Sequence, residues 1–348
     1  MHLHSGKIKQ KEIERMGNDY LKQFWSFKKV GRIPFLPMVC SMAARIQSIP
    51  IKDMLTNSTK MAVALQKAQK LFGYDGIFNI VDSTLEAEAC GCQINWSGEC
   101  EMPLVASHPL GEGKSIENLG TTGFEACGRI PTVLEVTKRL QMVLGNKTDI
   151  IGTVTGPLAL SRHLAGEAFV EHLKNNFSEA YGTIRYANTI IIRLCKLYCE
   201  NKIDGILICD PLISELNAET IELIRPFYRT LYNIVNFFNI YLIISVGSPQ
   251  AETLDPTFNL DANGFIVSGI SEVNNIFEVA AGKGKHLGYG IPHAALMGPT
   301  DRLRELVANS IPKGEKGFFF TTDGPVPYET PVENMHELMN MLRPALRS

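Results

Sequence analysis

Three aspartates and a histidine, Asp82, Asp210, Asp323 and His293, each stand just beyond a short apolar run, and this shared placement makes them the chemical candidates of the chain. Carboxylates gathered with one imidazole can move protons, polarise an oxygen or ligate a metal. Ser245, Ser248, Ser268, Thr321 and Thr322 end similar runs and add hydroxyls. Glu86 and Glu88 lie in a helix-like LEAEACG string two residues apart, so they point to different faces and at most one enters a common site. Each candidate also has a structural reading: a strand-end aspartate can cap the next helix, and a loop histidine can bond to backbone. His163 and His172 fall on a helical segment and read as ordinary. Cys90, Cys92 and Cys100 lack structural-zinc spacing and read as small packed thiols. The string from Gly111 to Ser115 imitates the end of a phosphate loop, but His108 stands where the first glycine belongs.

The elements that must position these residues are legible as an alternation. Eight β-rich apolar runs, at 34–40, 76–82, 150–156, 205–210, 240–247, 264–269, 286–291 and 317–324, are separated by helical patterns at 57–72, 131–144, 166–199, 218–238, 271–281, 299–311 and 331–342. That order predicts an α/β fold, a (β/α)8 TIM barrel over residues 1–348 as one domain, with a doubly wound sheet as the alternative. Thr330, Pro331 and Glu333 read as cap, first helical residue and capping box of the last helix. An amphipathic segment over 9–27 reads as an extra N-terminal helix, either a barrel plug or a homodimer contact. The stretch 83–149 after the second strand is too long for one crossover. It carries CQINW and glycines at 111, 113, 120, 123 and 128, which predicts a hairpin followed by a mobile loop over the barrel mouth.

Composition narrows the partners. The 348 residues are 45% hydrophobic and 20% charged, enough apolar content for a full-size core. Thirty-four Lys plus Arg against 36 Asp plus Glu leave a net charge of −2 with no sustained basic run, which argues against nucleic acid. No apolar stretch reaches the roughly 18–20 residues of a membrane span, and the polar start does not resemble a secretion signal. Eight cysteines are too few for a disulfide scaffold, and the expected place is the cytoplasm.

Six short strings in order resemble the uroporphyrinogen decarboxylase superfamily, specifically its corrinoid-dependent methyltransferase branch. They are Gly73-Tyr74-Asp75-Gly76 leading to Asp82, Leu85 through Cys92, Thr155-Gly156-Pro157-Leu158, Asp210-Pro211, Gly290-Ile291-Pro292 through Gly298, and Val326-Pro327 with Thr330 through Asn334. The resemblance implies a (β/α)8 barrel that moves a methyl group to or from the cobalamin of a separate corrinoid protein, since no Asp-x-His-x-x-Gly cobalamin motif occurs here.

Two departures separate this chain from better-known branches. The decarboxylases grip an octa-acid with several arginines after the first strand, whereas 40–45 holds only Arg45. Coenzyme M methyltransferases hold zinc through His and Cys at strands five and eight, where this chain has Ile244-Ser245-Val246-Gly247 and Asp323-Gly324. Hard oxygen groups suit a departing phenolate better than an incoming thiol. The expectation is therefore demethylation of a small methoxylated, aromatic substrate onto a partner's cobalamin. Asp82 and Asp210 would organise the rim, His293 and Asp323 would polarise the ether oxygen, and Tyr289 or Tyr328 would orient the ring. Glu86, Glu88 and Ser245 complete the candidate substrate contacts, and whether zinc takes part stays open. The competing readings are methylcobalamin as donor to another acceptor, a non-catalytic corrinoid or tetrapyrrole binder, and the decarboxylase itself.

Overall fold

The computed structural model describes residues 20–119, 123–145, 147–270, 272–314 and 316–343. Eight parallel strands build the sheet: β1 Phe35–Leu36, β2 Gly76–Phe78, β3 Asp149–Thr155, β4 Gly205–Cys209, β5 Tyr241–Ser245, β6 Gly264–Ser268, β7 His286–Ile291 and β8 Phe318–Thr322. Neighbours pair in the order β1-β8-β7-β6-β5-β4-β3-β2. The seam between β2 and β1 is stitched by Asp75, whose N–H donates to the Phe35 carbonyl at 3.0 Å while its carboxylate accepts from the Phe35 N–H at 2.9 Å. Arg32 and Arg343 neutralise that carboxylate, so the charge buried at the seam is paired. The result is the expected (β/α)8 barrel, nearly closed. All eight expected strands are present.

The strands are buried on both faces because helices cover them outside and side chains fill them within. β2 stops at Phe78, short of the run that reaches Asp82, because Asn79 diverts the chain. Its side chain donates to Thr137 at 2.8 Å and accepts from the Thr153 N–H at 3.0 Å, replacing the ladder.

The principal helices are α1 Ser58–Phe72, α2 Ile130–Leu144, α3 Pro157–Ala165, α4 Glu167–Asn175, α5 Phe177–Glu200, α6 Ala218–Phe237, α7 Val273–Gly282, α8 Thr300–Asn309 and α9 Val332–Leu342. The helical pattern at 166–199 is in fact two helices, because Asn176 leaves helical geometry (φ −149°) and turns the chain between them. At α9 the expected capping box is absent. Pro331 occupies the cap position, and the buried Thr330 hydroxyl makes no hydrogen bond.

Among the described residues of the N-terminal segment, 20–25 are helical, and the earlier part of the expected helix lies outside them. Phe24 and Trp25 are buried against His286 and Phe319, at the N-terminal end of the strands. This part of the segment plugs the barrel floor. Among the described residues no helix is long and apolar enough to cross a membrane.

The long insertion contains the expected hairpin, Ile94–Asn95 against Leu104–Val105. The loop after it packs down on α3: the Leu110 N–H donates to the Leu164 carbonyl at 2.9 Å, and a Cβ on Gly111 would stand 2.8 Å from the Ala165 carbonyl oxygen. Gly120 and its two successors lie outside the described residues.

Candidate active site

The C-terminal ends of the strands surround a cavity of about 430 Å³. Its walls are largely apolar, with Met38, Val81, Val154 and Leu212 from the barrel and Met102, Pro103 and Leu104 from the hairpin above. The polar side chains lining it are few: Asp82, Ser83, Thr153, Thr155, Arg162, His163, Ser245 and Asp323. This is the composition of a small-molecule site, with an apolar body and a handful of orienting groups.

Local sequence explains how the wall is held. Thr155-Gly156-Pro157-Leu158 ends β3 and starts α3. The Thr155 N–H and hydroxyl donate to the two Glu86 oxygens at 2.9 and 2.7 Å. Gly156 is obligatory because a Cβ there would collide with the Asp210 carboxylate. Pro157 takes a position where no N–H is needed. Asp210 accepts from the Leu158 and Ala159 N–H groups at 2.9 and 3.0 Å and from the Tyr228 hydroxyl at 2.6 Å. It therefore fixes the start of α3 from beneath, a position where a negative charge suits the helix dipole. Burial pushes Asp210 up to about 7 against the pull of those three bonds, and it pushes Glu86 up to about 7 against its bonds to Thr155.

Because α3 begins at the cavity rim, Ala159, Arg162 and His163, spaced as one helix face, line it. Burial and the nearby Arg162 push His163 down to about 4, so its imidazole is neutral near pH 7 and can offer a hydrogen bond without carrying charge. Sequence reading treats His163 as ordinary. The available signal is that α3 starts directly at a strand end, which puts its first turns at the mouth.

Asp82 sits in the wall as part of a charged cluster. It accepts from the Thr84 N–H at 2.8 Å, from the Thr84 hydroxyl at 2.7 Å and from Arg129. Arg129 also donates to Glu88 at 2.7 Å and to Thr84 at 2.8 Å, and its guanidinium lies 5.0 Å from the centre of the Trp96 ring. Trp96 follows the first hairpin strand, so this cation–π contact ties the lid to the strand-two aspartate. Nothing in the spacing of the chain connects Arg129 with Asp82, 47 positions away, and sequence reading misses it.

The structure gathers only some of the other expected residues. Ser245 and Asp323 line the cavity, Asp323 at its exposed rim. His293 opens the short helix His293–Met297, where its buried Nε2 has no partner and lies 3.6 Å from where a Gly324 Cβ would stand. Asp210 and Glu86 are buried behind the wall, and Glu88 is occupied by Arg129. Tyr289 shares a strand face with Leu287 and Ile291 and packs edge-on against Phe320, in the layer between strands and helices. Tyr328 bonds to Cys100 of the hairpin loop, and its carbonyl accepts from Arg45 at 3.0 Å, so it holds the lid down.

The donor set does not fit zinc. Among the described residues no three His, Cys, Asp or Glu side chains converge as a metal site would require, and burial pushes the Cys209 thiol, the one cysteine on the cavity wall, up to about 12.

A family model described as uroporphyrinogen decarboxylase (URO-D) matches residues 16–344. Among curated proteins, the methylcobamide:CoM methyltransferase MtbA of Methanosarcina acetivorans is 27% identical over 158 residues, covering 45% of this chain and 46% of that one. A methylated-thiol–coenzyme M methyltransferase of Methanosarcina mazei is 26% identical over 179 residues, 50% of this chain and 48% of that one. The matched segment thus spans about half the length of these relatives. A solved methyltransferase from Methanosarcina mazei superposes with a TM-score of 0.81 at 21% identity, covering 92% of this chain and 96% of that chain. A B12-independent methionine synthase from Shewanella sp. W3-18-1 gives 0.51 at 10% identity, over 82% and 86%. Both structural likenesses speak to the fold.

Proposed function

The chain belongs to the uroporphyrinogen decarboxylase family, and from that premise we propose that it is a corrinoid-dependent methyltransferase, moving a methyl group between a small methoxylated, aromatic substrate and the cobalamin of a partner corrinoid protein. The names of its relatives support the methyl and corrinoid parts of this reading. The substrate part rests on one observation: the cavity is mostly apolar, and at strands five and eight it presents Ser245, Gly247, Asp323 and Gly324 in place of thiolate-forming ligands.

Such walls hold an aromatic body by burial, worth about 25 cal/mol per Å² of apolar surface covered. Ser245 and the neutral His163 supply hydrogen bonds to an ether oxygen that becomes a phenolate as the methyl group leaves. The buried Thr153 hydroxyl on the cavity wall makes no bond within the protein, so a polar substituent reaching it would meet an unused partner. His293, with its buried, unused nitrogen beside Gly324, lies off the cavity wall and would act on the ether oxygen only through the Asp323-Gly324 turn. Glu86 and Asp210 position the wall through Thr155 and α3. The corrinoid supplies the nucleophilic cobalt, and the solvent-facing rim, where Leu104 is 62% exposed, leaves its carrier room to approach.

The test mixes the protein with a reduced corrinoid protein and a panel of methoxyarenes and follows the Co(I) absorption. Loss of that band with at least one donor, together with release of the matching phenol, is the expected result. Persistence of the band with every donor, alongside methyl transfer from methylcobalamin to another acceptor, would overturn the direction and substrate proposed.

A further inference from the structure

A second cavity, of about 540 Å³, lies at the opposite end of the barrel, where the strands begin. It is lined by Asp149 and Asp204 together with Phe238, Tyr241, Ile203 and Ile240. Asp149 opens β3 and is 3% exposed, yet its Oδ1 accepts no hydrogen bond, while the Trp25 indole N–H supports the carboxyl group from the plug. Asp204, beside it, spends one oxygen on the Ile150 N–H at 2.9 Å. Lys22 and Lys202 stand exposed on the rim. Lys22 lies near enough to draw both acids down, but neither lysine forms an ion pair with them. Two adjacent carboxyls in a desolvated corner, one with an unused oxygen, need protons or an external donor of positive charge.

We propose that this floor cavity binds a small organic ammonium compound, its N–H donors placed between Asp149 and Asp204 and its hydrocarbon body against Phe238, Ile240 and Tyr241. Three features favour an organic cation over a bare metal ion. The volume far exceeds one ion, and only two carboxylates are present where a metal site needs more donors. The aromatic walls also present π-faces that attract ammonium groups. Nothing in the methyl-transfer reading uses these residues, so the two proposals stand or fall separately.

The protein has two tryptophans, one at each end of the barrel, so its two indole N–H signals report the two ends. In 15N-labelled full-length protein, with the signals assigned through Trp96→Phe, benzylammonium and n-butylammonium are expected to move the Trp25 indole resonance in a saturable manner. Tetramethylammonium, which has no N–H to donate, should bind at least tenfold more weakly. Asp204→Asn, at a half-exposed position, should weaken benzylammonium at least tenfold, and Asp149→Asn should do the same. Undiminished binding in the folded Asp204→Asn protein would overturn the proposal, as would a Trp25 signal that responds to pH alone. A response to magnesium ions but not to either ammonium compound would replace it with a metal site.

Discussion

Two buried aspartates, one at each end of the same barrel, are treated in opposite ways. Asp82 at the mouth receives three donors from Thr84 and Arg129, and the guanidinium is itself shared with Glu88 and Trp96. Asp149 at the floor keeps an oxygen with no donor and lies beside a second acid, Asp204. Both are desolvated, so burial is not the difference; internal neutralisation is. A carboxylate whose charge is already matched is a fixed wall for a substrate that need not be charged. One left unmatched stores a demand for a cation. The same fold thus carries a largely apolar, charge-balanced cavity where its chemistry is proposed and, at the other end, one with two adjacent acids that no ion pair neutralises.

The largest test of that contrast removes one partner at the mouth. Arg129→Met is expected to lower unfolding free energy by about 3–5 kcal/mol, because it strands Asp82 without its counter-charge. Asp149→Asn is expected to change stability by no more than about 1 kcal/mol, since burial and Asp204 already hold this acid toward its neutral form, which the amide matches in shape. Denaturant melts of the two variants against the parent would decide it. Equal losses would show that the two aspartates are held alike and would break the contrast.

How much of this is legible in the sequence follows the range of the interactions. The strands and their order were legible because each run is locally apolar and β-rich. Asp82, Ser245 and Asp323 line the cavity, a placement legible because strand ends at the C-terminal face of a barrel point at the mouth. Tyr289 was misplaced: it lies among strand residues whose face follows from pleat parity, and in HLGYGI glycines occupy the inward positions that would have revealed it. The Asp210 carboxylate reads as catalytic in the sequence, yet it accepts three bonds from α3 and Tyr228, a partnership set by Gly156 and Tyr228 on two other elements. Arg129 and the floor pair of acids depend on contacts across 47 and 55 positions, and no local pattern encodes them.

One acid at each end should also titrate over its own range. Burial raises Glu86 at the mouth to about 7, and burial raises Asp204 at the floor to about 6 against the pull of the Ile150 N–H and Lys22. A carboxyl raised in the folded state favours folding below its unfolded value, near pH 4, and that contribution is lost as pH rises through the folded value. Glu86→Gln should therefore flatten the fall in unfolding free energy between about pH 4.5 and 7, by roughly 3 kcal/mol over the window. Asp204→Asn should flatten a smaller fall that is complete near pH 6. A parent whose stability rises across this range would contradict both assignments.

The smallest effect expected is the most specific to the lid. Trp96→Ala removes the ring stacked on Arg129 while leaving the Arg129 bonds to Asp82, Thr84 and Glu88 in place. A partly exposed cation–π contact is worth about 0.5–1 kcal/mol, so the apparent KM for a cavity-bound substrate should rise about two- to fivefold with kcat nearly unchanged. The Trp25 indole resonance at the floor should not move. If KM is unaltered while kcat falls, the hairpin does not simply hold substrate in. Its position would then matter to the step at which the partner engages the mouth, and the lid would have to be counted with the docking surface instead of with the cavity wall.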